Sequence, residues 1–334
     1  MRNYIIRRLL ILVPVMVGVS FLTFSLFNVI PGDACVLRLG FGSTPETLKD
    51  CREQHGLNRP LFPISINSDL PLLHVQNSQY GDWLWDIPAH QDLGQSLAEG
   101  GAEVSTELER RLPITIQLMI MTIIFALVLG VAPGVLSAVR PNTPIDWLAR
   151  IASVLWLSIP SFYLAILMIT FGLLWFDWTP PQFGSGYKPF MDDPWINLQQ
   201  FFFPSLVLSV GIAAVIMRLT RSAMLEVLRN DYIRTAWSKG LRERTVVWRH
   251  ALRNALIPVV TLVGLQVGAL IGGTVIIESV YNLNGVGKYT LEAIIRRDLF
   301  VVQSLTLMFA FVYVLSNLMV DVAYAFLDPR IHYN

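Results

Sequence analysis

The stretch DYIRTAWSKGLRERTVVWRHALRNALIP, residues 231–258, holds six Lys/Arg against two acids and sits between two long apolar runs. Its apolar positions Ile233, Ala236, Trp237, Leu241 and Val246 recur at near-helical spacing, which predicts two short helices meeting near Gly240, one with a face turned away from water. A basic, partly helical insert between apolar runs places the rest of the chain in a membrane.

Composition agrees. Of 334 residues, 54% are hydrophobic and 15% charged, where a soluble domain carries about 25% charged residues. Mean hydropathy is +0.53. A net charge of +1 argues against a nucleic-acid partner, which calls for a strong basic excess. A spanning helix needs about 20 apolar residues, and six runs satisfy this: 9–30, 114–139, 151–176, 201–219, 256–277 and 301–327. The first follows Arg2, Arg7 and Arg8, but it is too long for a signal-peptide core and no small-residue cleavage site follows, so it reads as an uncleaved helix.

The positive-inside rule orients these spans. From Arg218 to Arg253 there are nine Lys/Arg against Glu226, Asp231 and Glu243, whereas residues 31–109 hold four Lys/Arg against twelve Asp/Glu. With six spans, the N-terminus, the insert 220–255 and the C-terminus share the cytoplasmic side. Three regions follow: a cytoplasmic tip with the first helix (1–30), an extracytoplasmic segment (31–112), and a membrane core (113–334). The outer segment holds Cys35 and Cys51, for which two readings stand. They form a disulfide worth about 3 kcal/mol on the chain-entropy model, or they are two free thiols. A second outer loop, FDWTPPQFGSGYKPFMDDPW, is flanked by Trp175, Trp178 and Trp195, as expected at a lipid–water boundary. Pro141 and Pro144 make residues 140–150 an inner turn.

Catalytic chemistry is not legible. His55, His74, His90, His250 and His332 have no metal-ligand spacing. NLNGVGKYT, residues 282–290, resembles a phosphate loop, but Asn282 stands where the first glycine is required and Tyr289 follows Lys288. Ionisable residues inside spans are costly and are default candidates for a substrate pathway. Two are present: Glu278 at the outer end of the fifth span, and Asp321 in the last, where pairing with Arg7 or Arg8 is the structural alternative. Pro133 with Gly134, Pro160 and Pro204 can break helices and expose backbone to a cavity, or act as ordinary kinks.

RTAWSKGL, residues 234–241, resembles the signature of inner-membrane permease subunits of binding-protein-dependent ABC importers, in which a Glu-Ala-Ala triplet precedes a glycine at a fixed interval. Only Ala236 and Gly240 keep that general form. The oligopeptide/dipeptide branch reads closer to Thr-Ala-Arg-Ala-Lys-Gly-Leu, matched here by Thr235, Ala236, Lys239, Gly240 and Leu241. Further stretches are similar to that branch: RRLL and PGD around the first span, HGLNRPL, GDWLWDIPAHQDLGQSL, ERRLPITIQL, RHALRNALIPVVT, ESVYNLNGVGKYTLEAIIRRDLFVVQ and DVAYAFLDPRI.

The resemblance implies an all-α membrane protein of the type I ABC-importer permease fold, with six transmembrane helices and a large extracytoplasmic segment, in the bacterial cytoplasmic membrane. It implies a related second permease subunit, two cytoplasmic ATPases that bind ATP and magnesium, and an extracytoplasmic peptide-binding protein. No cofactor is expected in this chain, which would not be an enzyme on its own. The insert becomes a coupling helix seated on an ATPase, with Thr235, Ala236, Lys239, Gly240, Leu241 and Arg244 at that contact. A basic loop that only anchors topology is the alternative. Short peptides are the expected cargo, with nickel chelates, small sugars or antimicrobial peptides as alternatives. A secondary transporter is disfavoured by the scarcity of buried acids and of interrupted repeats.

Overall fold

The computed structural model describes residues 2–29, 34–39, 43–54, 56–62, 78–90, 92–96 and 101–327, and these are almost wholly helical. In chain order the helices are α1 (Arg2–Val29), α2 (Ala34–Leu39), α3 (Pro45–Gln54), α4 (Gln79–His90), α5 (Val104–Val139), α6 (Pro144–Ser158), α7 (Ser161–Phe176), α8 (Gln182–Ser185) and α9 (Pro194–Val227). Then come α10 (Asp231–Ser238), α11 (Glu243–Thr245), a π-helical stretch Val246–Ala251, α12 (Leu252–Ala255), α13 (Ile257–Val280), α14 (Val286–Ile295) and α15 (Leu299–Leu327).

Four described helices are long and apolar enough to cross a bilayer, in α5, α9, α13 and α15. The apolar part of α1 is Leu10–Leu26. The run 151–176, expected as one span, is instead two helices bent by 98°. The cause is local: Pro160 has no N–H to donate and forces Ile159 into extended backbone (φ −96°, ψ 119°), which ends α6 before α7 begins. Pro133 and Pro204 lie inside α5 and α9 without ending them. Helix α9 also runs to Val227, eight residues past the apolar run.

The centre of the molecule is the pair α5 and α9. Gly130 and Gly134, one turn apart on α5, remove the side chains that would hold the two helices apart. A Cβ on Gly130 would lie 2.6 Å from Ile216 Cγ2, and one on Gly134 would lie 2.8 Å from the Met217 carbonyl oxygen. Buried Ala126, Ala213 and Ala214 extend this small-residue seam. Lipid gives helices no hydrophobic reason to associate, so such close backbone contact is what holds them.

A buried ionic knot closes the same pair at the end nearest residues 140–146. Asp146, in the first turn of α6, is fully buried and accepts a bidentate pair from Arg221 of α9 (Nε 2.7 Å, Nη2 3.0 Å). Ser137 Oγ of α5 (2.6 Å) and the Asn142 N–H (2.9 Å) satisfy the remaining lone pairs. One carboxylate thereby joins α5, α6 and α9. The stretch 140–146 is therefore a three-helix anchor as well as a turn.

At the other end, α4 docks on α1 and α15 through Phe24, Tyr80, Trp83 and Leu307, and the Tyr80 hydroxyl lies 2.8 Å from Ser20 Oγ. Cys35 and Cys51 are disulfide-bonded and tie α2 to α3. Trp178 packs over Gly172 and against Phe203 (4.7 Å), whereas Trp175 and Trp195 are exposed.

Two outcomes follow from the α5–α9 contact. Gly130→Val is expected to separate the helices and prevent recovery of an assembled, monodisperse protein, while the same change at Gly184, where a Cβ meets nothing within 4 Å, leaves recovery unchanged; size-exclusion profiles of the two purified variants decide it. Asp146→Leu takes the carboxylate from the half-buried Arg221 and should cost about 1–3 kcal/mol. The double change Asp146→Leu with Arg221→Leu should cost less than the sum of the single changes, read from tryptophan-fluorescence melting.

Candidate coupling surface and transport pathway

Residues 231–255 fold back on the ends of α5 and α9. Ile233 and Ala236 of α10, with Val246, Val247, Ala251 and Leu252, join one buried apolar cluster with Val135, Ala138, Met224 and Val227. The seat is thus built from i and i+3 positions of a two-turn helix, the spacing that one buried face requires.

Gly240 ends that helix. Its φ is +74°, left-handed backbone that costs an L-residue roughly 1–2 kcal/mol. The Gly240 N–H donates to the Trp237 carbonyl (2.9 Å) and the Leu241 N–H to the Ala236 carbonyl (3.4 Å), the paired bonds of a Schellman cap. No atom lies within 4 Å of where a Cβ would stand. The glycine is therefore set by backbone conformation, with no crowding inside this chain.

The six residues of the expected contact divide in two. Ala236 is buried at 8% exposure against its own chain, so it anchors α10 and does not line an outward small-residue face. Thr235, Lys239, Gly240, Leu241 and Arg244 are exposed. Trp237, expected on the buried face, is 44% exposed, and Tyr232 and Trp248 are similarly open. These large exposed aromatics were not legible as a group from periodicity. They make the outward surface aromatic and basic, with Arg234 and Arg242 beside them.

Glu278 is wholly buried and forms a clamp. Its Oε1 accepts from Thr115 Oγ1 of α5 (2.7 Å), and its Oε2 accepts from the Lys288 N–H (2.8 Å) in the first turn of α14. Thr115 Oγ1 in turn accepts from the Val286 N–H (2.8 Å). A Cβ at Gly285 would collide with the Glu278 carboxylate. The phosphate-loop lookalike thus grips a carboxyl group of its own chain at a helix N-terminus, where backbone N–H groups point at an acceptor. Lys288 Nζ bonds to Asn282 Oδ1 (2.8 Å) and Asn284 Oδ1 (2.9 Å), so it serves the loop. Both oxygens of Glu278 accept hydrogen bonds from this chain.

Asp321 lies on the helical backbone of α15, but its side chain, with those of Arg7 and Arg8, lies outside the described residues. A better candidate for the pathway is a cavity of about 270 Å³ where α6 and α7 bend beside α9 and α13. Trp156, Ile159 and Ser161 flank the bend, Val207 and Gly211 come from α9, and Gln266 and Gly273 from α13. Gln266 and Ser161 supply polar groups among largely apolar walls. Among the described residues no group of His, Cys, Asp or Glu is placed to hold a metal ion.

Residues 130–333 match the family described as binding-protein-dependent transport system inner membrane component, and residues 1–119 match the N-terminal family of such membrane components. The chain is 37% identical to the dipeptide transport system permease protein DppB of Alkalihalophilus pseudofirmus, over the whole of both chains. It is 35% identical to the glutathione transport system permease protein GsiC of Escherichia coli K12, again over the whole of both. Among solved structures, an inward-facing MetNI methionine ABC transporter aligns with a TM-score of 0.52 and 21% identity, covering 66% of this chain and 96% of that one. Its likeness extends to the fold alone. With both halves of the sequence matched, the chain belongs to the inner membrane components of binding-protein-dependent transport systems: it is a multi-pass permease subunit of an ABC importer.

Proposed function

We propose that this subunit imports short peptides by alternating access, with six spans, both termini in the cytoplasm, and residues 31–112 outside. The α1, α5, α6–α7, α9, α13 and α15 helices supply the spans if the bent pair counts as one. A related second permease subunit would complete the pathway. Two ATPase subunits would bind ATP and magnesium, and a binding protein would deliver cargo to the outer segment; this chain would hydrolyse nothing itself. Short peptides are favoured as cargo because relatives matching over their full length are named for dipeptide and glutathione transport. The disulfide suits an oxidising outer compartment.

The observation that carries the mechanism is the two-sided build of α10. Ile233 and Ala236 fuse it to the ends of α5 and α9, while Tyr232 and Trp237, exposed on either side of that seat, are offered to a partner, residue types enriched at interface hot spots. A push on that face would pass into α5 and α9 as one body, since the glycine seam and the Asp146–Arg221 pair leave little room for slippage. The compliant element would be the bend at Pro160, beside the cavity. Closure of the ATPases would thereby tilt α5, α9 and the attached α6 against α7, changing access from one side to the other.

ATP hydrolysis by the reconstituted complex, with and without peptide-loaded binding protein, tests this. Gly240→Asn, which tolerates left-handed backbone, should keep stimulation within about threefold of wild type. Gly240→Val and Trp237→Ala should each reduce it by about tenfold or more while the subunits still co-purify. Stimulation that survives both of the latter changes would reduce residues 231–255 to a topological anchor.

A further inference from the structure

A second cavity, of about 550 Å³, lies away from the transport path and the coupling surface, between α3, α4, residues 92–95 and the start of α15. That volume is in the range of small-molecule sites. Its walls combine three unusual features. Glu53, Asp82, Asp86 and Asp92 line it against one cation, Arg59. Phe24, Trp83 and Phe300 give it an aromatic side. Among the described residues, two buried donors also have no acceptor: Gln303 Nε2, on a residue 4% exposed, and Trp83 Nε1, on a residue 9% exposed.

These features point in different chemical directions, and one ligand class satisfies all of them. Stranded N–H groups are met by carbonyl or carboxylate oxygens. The surplus carboxylates call for a cation. They do not converge as metal ligands, and each already has a separate tie: Glu53 to Lys49 (3.9 Å), Asp82 to Arg59, Asp86 to His90 (3.0 Å) and Asp92 to the Gly94 N–H (2.8 Å). Spread acids suit an organic ammonium on an extended molecule better than a single ion. A lysine or arginine inserted by a docking protein would meet the acids and leave Gln303 and Trp83 unpaired.

We propose that this cavity binds a short zwitterionic peptide, its ammonium among Asp86 and Asp92, its carbonyl oxygens on Gln303 and Trp83, and a side chain against Phe300. It would be a site on the permease itself, separate from the binding protein and from the membrane path. That it faces the outside rests on the orientation proposed above; that it binds peptide does not.

Titration calorimetry of trialanine into the assembled transporter in nanodiscs, without binding protein, makes the test. Saturable binding is expected, abolished by N-acetylation of the peptide. Gln303→Leu and the pair Asp86→Asn with Asp92→Asn should each weaken it about tenfold or more, with thermal melting no lower than that of the wild type. Gln303→Met, closer in shape, serves if the leucine variant does not assemble. Absence of binding up to millimolar peptide overturns the proposal. So does binding that ignores these substitutions, or variants that lower affinity for the binding protein while peptide affinity stays constant. Because the titration needs no ATP hydrolysis, it can fail while peptide import stands.

Discussion

The contact on which this permease subunit depends is the close approach of α5 to α9 at Gly130 and Gly134. In a bilayer, apolar side chains gain little from leaving lipid for each other, so helix association rests on fit and on buried polar bonds. The glycine seam supplies the fit and the Asp146–Arg221 pair supplies the bond. Neither would serve alone: the seam permits sliding along its axis, and a buried ion pair repays its desolvation only when its geometry is fixed. Together they make two long helices into one body, and both α10 and the bent α6–α7 pair are attached to that body. A permease that must transmit force needs some part that does not yield, and this pair provides it.

Much of this was legible in the sequence because membrane helices are written in long apolar runs. Five of the six apolar runs each map to a single helix among the described residues, the run 151–176 is divided between two, and the basic insert became helical pieces on either side of Gly240. The errors have local causes. The run 151–176 is uninterrupted in hydropathy, yet Pro160 splits it, since hydropathy counts side chains and is blind to a missing N–H. Trp237 belongs to the apolar pattern at helical spacing that normally marks a buried face, yet it is 44% exposed, because Ile233 and Ala236 alone suffice to seat α10. Asp146 escaped notice because its meaning lies in Arg221, seventy-five positions away, and only the fold brings the two together. A G-x-x-x-G spacing inside an apolar stretch was the available signal for the seam.

Glu278 shows how a correct suspicion attaches to a different role. A carboxylate at the end of an apolar helix is expensive, and the expense does mark an important place. Here it secures architecture: the acid holds the start of α14 to α5. The glycines of NLNGVGKYT, which only resemble a phosphate loop, serve to bring backbone N–H groups within reach of that acid. The helix N-terminus still meets an acceptor, but the acceptor is covalently part of the chain.

The same clamp sets a timetable for biogenesis. Thr115 and Glu278 are 163 residues apart, and Thr115 and Val286 are 171 apart. At roughly 5–20 residues per second, α5 is made some 8–30 seconds before its partner carboxylate exists. During that interval the Thr115 hydroxyl lacks its bonds to Glu278 and Val286. The loop that joins α13 to α14 is therefore among the last features to lock. A ribosome that stalls within α13 leaves a nascent chain whose early helices can be in place while this end of the bundle stays unlatched. That gives a quality-control protease or a membrane chaperone a defined feature by which to tell an unfinished subunit from a finished one.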